Sequence, residues 1–222
     1  MIKVKKDNLS FSSLAIGSIF FIICLLFSPT LSHAVSVEEV LQKIQKSYEN
    51  IQDMSGSFVQ KSYIKDLDRT DTFKGQFFIK MPKKMRVSYS GENPSEVVIN
   101  NGEITIYQKK EKQAIMGRFD SSTYGQTPVV LLSGFGKIQK EFSVTNKKGK
   151  LFLKPKKPMG IVVSIEMQTS DAAFPIQSFV IHDTYSNRIE ITLKDVKINT
   201  GLKDSSFTLS FPKGVTVLDR RP

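Results

Sequence analysis

The sequence predicts a mainly β protein: an incomplete, unclosed antiparallel barrel of about eleven strands, with a helical lid over an apolar cavity. Three observations predict it. Period-2 alternation of apolar and polar residues recurs along most of the chain, the mark of half-buried strands. The connections between alternating runs are short and carry turn chemistry, which suits an antiparallel meander. Only about two helices are written in the sequence, so a sheet of this size must curl around its own apolar face or expose it.

The N-terminus reads as a targeting segment outside the fold. Lys3, Lys5 and Lys6 form a basic region, Leu14 to Phe27 is an apolar run of secretory length, and Ser32-His33-Ala34 offers small residues for cleavage. The run is short for a membrane-spanning helix, which argues against a retained anchor. Cys24 follows Ile22-Ile23 and lacks the small residue that lipid attachment needs just before it. The division expected is a signal peptide over 1–34 and a single domain over 35–222, located in the periplasm. Cleavage leaves 188 residues, enough for one core, and removes the only cysteine. Residues 1–34 hold three lysines and one aspartate, so the formal charge falls from +11 to +9. A secretory address and lysines scattered through turns argue against nucleic acid as a partner.

The first element of the mature chain is a helix. Ser36-Val37-Glu38-Glu39 is a capping box, and Val37, Val40, Leu41, Ile44, Tyr48 and Ile51 recur at helical spacing. Strands follow over Ser57–Ile64, Thr72–Lys80, Met85–Ser90, Glu96–Asn100, Ile104–Gln108 and Gln113–Phe119. On the second, Phe73, Gly75, Phe77, Ile79 and Met81 share one face; on the third, Met85, Val87 and Tyr89 do. Lys80 and Arg86 fall on the opposite, solvent-facing side. A short helix is expected over 127–132, with Thr127 as cap, Pro128 at its first position and Gly134 as its stop. Its run Val129-Val130-Leu131-Leu132 is too apolar for a surface helix, so it is wedged into the core or covers an apolar surface. Further strands are expected over Ile138–Thr145, Leu151–Lys154, Ile161–Gln168, Ile176–Asp183, Arg188–Ile198 and Phe207–Phe211. Asn101-Gly102, Lys148-Gly149 and Tyr185-Ser186-Asn187 supply turns.

Catalytic chemistry has no visible constellation. The one histidine of the mature chain, His182, neighbours Asp183 in a strand, where adjacent side chains point to opposite faces. The run Asp66 to Asp71 resembles the start of a calcium loop, but Asp71 stands where glycine is needed and Phe77 where the bidentate glutamate is needed. It reads as a polar hairpin tip. The sequence thus predicts a binding protein, not an enzyme, with no catalytic residue, cofactor or metal. A lipase-like enzyme would need a nucleophile site that the motifs do not contain.

The order of features resembles the periplasmic outer-membrane lipoprotein carrier family, LolA, across the mature chain. The matching pieces are the N-terminal helix, "MSGSFVQ" at 54–60, "GQFFIKMPKKMRVSY" at 75–89, "VVINNGEITIY" at 97–107, "TPVVLL" at 127–132 and "FTLSFPKGVTV" at 207–217. The resemblance implies a cavity that holds the acyl chains of lipoproteins. Its expected lining is Phe77, Ile79, Met81, Met85, Val87 and Tyr89 from the sheet, with Val129, Val130, Leu131 and Leu132 from the lid. It further implies a monomeric carrier that takes lipoproteins from an inner-membrane ABC transporter and delivers them to an outer-membrane lipoprotein receptor. The same fold also serves envelope regulatory modules that sense lipids or lipoproteins, which is the alternative reading. Family members often carry arginine just before the turn proline, where it bonds to the lid; Met81 stands there in this chain. Met85 replaces a family aromatic, which makes the inward face adaptable as well as apolar.

Overall fold

The computed structural model describes residues 36–120, 127–147 and 149–221. The expected signal segment over 1–34 lies outside the described residues, as does Lys148 of one expected turn.

Helix α1, Val37–Glu49, begins at the expected capping box. Ser36 Oγ accepts from Glu39 N at 3.1 Å, and Ser36 N donates to Glu39 Oε2 at 2.9 Å. Its apolar stripe buries Leu41, Ile44 and Tyr48, and Ile51 follows them into the core.

Twelve strands form one open sheet: β1 Asp53–Ile64, β2 Arg69–Lys80, β3 Lys84–Ser90, β4 Ser95–Asn100, β5 Glu103–Gln108, β6 Gln113–Arg118, β7 Phe142–Lys147, β8 Lys150–Pro155, β9 Val162–Thr169, β10 Ile176–Asp183, β11 Arg188–Ile198 and β12 Thr216–Asp219. Their order is β12-β6-β5-β4-β3-β2-β1-β11-β10-β9-β8-β7, so the two edges do not meet. The long β1–β2 hairpin forms the spine, with β11 joining the later meander to the first through β1. Asn101 and Gly102, at φ 53° and 91°, make the tight β4–β5 turn that the sequence indicates. At the β10–β11 turn, Asp183 accepts from the backbone N–H groups of Tyr185 and Asn187, each at 2.9 Å.

Three expectations are corrected. The segment expected as a strand from Ile138 starts as a short helix, α2 Ile138–Glu141, and only then becomes β7. The lid is a 3-10 helix, Pro128–Ser133; Thr127 makes no side-chain capping bond, and its carbonyl receives Val130 N at 3.0 Å to close the first turn. Gly134 ends it, as expected, as the C-cap whose N–H donates to the Leu131 carbonyl at 2.9 Å. It does so in a right-handed conformation (φ −98°, ψ −17°), and a separate 3-10 turn, Phe135–Lys137, follows.

The last correction concerns the C-terminus. Phe207–Phe211 is not a strand: Asp204–Phe207 is a 3-10 turn, and Phe207 is buried. The final strand is β12 instead, which pairs with β6 in parallel, the one exception to the antiparallel pattern among the described residues. The 3-10 turn packs against the outer side of β3 and β4. Four successive residues of β4, Glu96 to Ile99, are therefore buried, because that strand is covered on both faces.

Candidate functional site

The inner face of the sheet is built two residues at a time. Register pairs Phe77 with Val87 and Ile79 with Met85, and carries the row on to Val97 and Ile99 of β4. Phe77 and Val87 are wholly buried, and Ile79 and Met85 nearly so. Tyr89 continues that face, edge-on to Phe58 at 5.3 Å and to Phe73 at 6.4 Å. Glycine makes room for these rings. A Cβ at Gly75 would lie 2.8 Å from the Phe58 ring and 2.4 Å from the Ser88 carbonyl, so no side chain fits between.

The lid closes over this surface. Val129, Val130 and Leu132 are fully buried and Leu131 nearly so, packed in one core with the strand residues and touching β3 and β11. The sequence suggests two roles for this run, and the packing fits both at once: it is core, and it covers the apolar face. A polar contact missed in the sequence also holds it. Tyr48 of α1 donates its phenol to the Leu132 carbonyl at 2.7 Å. Burial pushes the Tyr48 pKa well above the ordinary tyrosine range, so the phenol stays a donor at neutral pH. Phe135, just after the lid, stacks edge-on with Phe179 of β10 at 5.2 Å.

Two cavities flank the lid at its two ends. One, about 250 Å³, is lined by Ile79, Met85, Ile99 and Phe119, with Ser133 from the lid's C-terminal end. The other, about 380 Å³, is lined by Tyr89, Val97, Ile106, Ser95 and Gln108, with Thr127 from its N-terminal end. Ligand pockets run to about 300–1,000 Å³, so these sit at or below the bottom of that range. Val129 to Leu132, the stretch between those two lid ends, are buried in the core.

Met81 stands half-buried against the core at the β2–β3 turn, its N–H donating to the Gln52 carbonyl at 2.8 Å. Its thioether can donate no hydrogen bond to the lid.

On the outer face, Lys80 and Arg86 are not simply solvated. Lys80 Nζ donates to the Leu202 carbonyl at 3.0 Å and to Asp204 at 2.7 Å, and Lys84 meets the same carboxylate at 2.9 Å. These lysines hold the Asp204 pKa down at about 2. Arg86 donates to the Ser206 carbonyl at 3.3 Å and pairs with Glu96, which also binds Lys109. A second clasp lies at the start of β1. The buried carboxylate of Asp53 accepts from Thr200 N, Thr200 Oγ1, Gly201 N and Leu202 N at 2.8–3.2 Å. Burial raises its pKa, but these bonds outweigh burial and leave it below the ordinary value. Local sequence signals do not reveal either clasp, since the partners lie more than a hundred residues apart.

His182 faces Glu166 at 2.9 Å across β9 and β10, while Asp183 serves the turn, as strand alternation requires. The Asp66–Asp71 segment is a hairpin tip, with Asp68 at φ 43° accepting from the Tyr63 phenol at 3.0 Å. Among the described residues no group of three His, Cys, Asp or Glu side chains is placed to hold a metal, and no helix is long and apolar enough to cross a membrane.

The sequence profile of the family described as outer membrane lipoprotein carrier protein LolA matches residues 49–210. An outer-membrane lipoprotein carrier protein of Pseudomonas paraeruginosa is 26% identical over 203 residues, which cover 89% of this chain and 96% of that one. Another, from Pseudomonas putida, is 26% identical over 191 residues, covering 83% and 90%. The crystal structure of an uncharacterized conserved protein from Thermus thermophilus superposes with a TM-score of 0.51 at 13% identity, over 84% of this chain and 100% of that one. Likeness at that identity speaks for the fold.

Proposed function

The chain belongs to the LolA family of outer membrane lipoprotein carrier proteins, and from that premise we propose that it is a periplasmic carrier for lipoproteins. It binds their acyl chains beneath the lid and moves them from the inner to the outer membrane. The cargo enters from an inner-membrane ABC transporter and leaves to an outer-membrane lipoprotein receptor. The protein works as a monomer, as a carrier and not as an enzyme.

One observation carries this reading. A lid of four apolar residues, Val129 to Leu132, is packed between two cavities over the inner face formed by Phe77, Ile79, Met85 and Val87. Acyl chains that take the lid's place would keep this face out of water. Each buried CH₂ is worth about 0.8 kcal/mol, so a partly inserted chain offsets the loss of several lid contacts. The same burial makes escape into water slow, and release calls for an acceptor just as apolar. Tyr89 and Met81 lie at the two ends of the proposed lining, and Met81 and Met85 adapt it to chains of varied shape.

The test is to incubate the mature protein with spheroplasts and to analyse what the soluble fraction holds by mass spectrometry. Acylated lipoproteins in one-to-one complex are expected. If the protein releases none, yet captures an envelope protein lacking acyl chains, the regulatory sensing module replaces the carrier.

A further inference from the structure

The inner face is apolar almost throughout, and two of the polar side chains on it bury an atom with no partner among the described residues. Gln60 of β1 is 6% exposed; its Nε2 donates to Ser62 Oγ at 3.0 Å, while its Oε1 is buried with no partner among the described residues. Tyr89 of β3 buries its hydroxyl in the same way, again with no partner among them. The register sets the two on either side of β2, Gln60 opposite Phe73 and Tyr89 opposite Gly75. The Tyr89 ring stands edge-on to both Phe58 and Phe73, so the two polar groups belong to one aromatic cluster. Phe73 is 40% exposed, which puts that cluster at an open end of the inner face. Tyr89 also walls the 380 Å³ cavity beside the start of the lid.

A buried polar group without a partner destabilises a fold, and leucine at 60 or phenylalanine at 89 would avoid that cost. The chemistry of the two groups specifies what would satisfy them. Gln60 Oε1 can only accept, so it needs an N–H or O–H donor. The Tyr89 hydroxyl has a donor to give, and a carbonyl would take it. A plain hydrocarbon offers neither. A fatty-acid carboxylate has no donor, and burying its charge is unfavourable. An acylated peptide has both in one place: its amide N–H and its ester and amide carbonyls lie where the chains meet the peptide.

We propose that Gln60 and Tyr89 form a polar station on the inner face, beside the cavity that Tyr89 walls, which hydrogen-bonds the junction between acyl chains and peptide in an acylated protein. Tyr89 donates to a junction carbonyl, and Gln60 accepts from the junction amide. The station fixes how deeply the chains enter, and it favours acylated peptides over free lipid. It rests on the carrier reading and names the part of the cargo that is recognised.

The experiment compares two probes on the mature protein: a synthetic tri-acylated cysteinyl peptide, and an alkyl-pyrene of equal chain length with neither ester nor amide. Tyr89→Phe should weaken lipopeptide binding about tenfold, the size of one net hydrogen bond, and leave alkyl-pyrene binding within about twofold. It should also raise Tm, because it removes an unsatisfied buried hydroxyl. Gln60→Leu should behave alike. Equal losses for both probes, no loss for the lipopeptide, or a lowered Tm in Tyr89→Phe would overturn the station while leaving the carrier reading intact. Failure of the unmodified protein to bind the lipopeptide would overturn both.

Discussion

Tyr48 and Leu132 join the N-terminal helix to the lid through a buried hydrogen bond of 2.7 Å, phenol to carbonyl. It is a polar contact in an otherwise apolar closure, and it ties lid position to a helix that also packs on the following turn. Gly136 passes against the Tyr48 side chain, where a Cβ would come within 2.9 Å.

Replacing Tyr48 with Phe should loosen the lid. The Leu132 carbonyl would lose its donor inside the core, at a cost of about 1–3 kcal/mol. Amide exchange at Val130 and Gly134, which bond to Thr127 and Leu131 within the lid, should speed up at least fivefold. Binding of an apolar fluorescent probe to the empty protein should rise. Unchanged exchange in a folded variant would remove Tyr48 from the closure.

Ile79→Glu and Val87→Glu should abolish most cargo uptake, because each puts a carboxylate on the inner face beneath the lid. The controls must be Lys74→Glu and Gln76→Glu, which lie exposed on the other side. Lys80 and Arg86 share that side but hold the C-terminal crossing in place. Their substitution should therefore lower stability, unlike that at Lys74. Thermal denaturation run beside the uptake assay separates the two effects.

Met81→Arg introduces a donor at the β2–β3 turn, where the thioether supplies none. A charge-assisted bond to a lid carbonyl is worth about 1.5–3 kcal/mol. The variant should bind less apolar probe when empty and hand cargo over more readily. A folded variant with unchanged binding and transfer would show that position 81 has no part in closure.

Acid should release the C-terminal crossing. Asp204 and Asp53 both have folded pKa values held below the ordinary value of 3.8, that of Asp204 at about 2. Stability from such groups is complete above the unfolded value and is lost as pH falls through the folded one. The midpoint of urea unfolding should therefore drop between about pH 4 and pH 2. Asp53→Asn should lower stability at pH 7 by on the order of 2–3 kcal/mol, since several backbone donors lose a charged acceptor. It should also flatten the acid dependence. An acid profile identical to that of the unmodified protein would argue against the clasp.

What the sequence determined by itself is the content of each face. Alternation alone assigned Phe77, Ile79, Met85 and Val87 to one side, and the capping box at Ser36 and Glu39 set the start of α1. Both are local: the period of the backbone and the first turn of a helix need no distant partner. The tertiary structure decided which backbone lies beside which. The alternating run from Phe207 to Phe211 reads as a strand, yet no strand edge is open to it there; it crosses the outer face and buries Phe207 against β3 and β4. The shorter run Thr216–Asp219 finds the edge of β6 instead and pairs in parallel. Lys80 and Arg86 read as solvated for the same reason, because what covers them is a segment more than a hundred residues away. The period of a strand states which side chains share a face, whereas pairing and coverage depend on which edges and surfaces the rest of the chain leaves open.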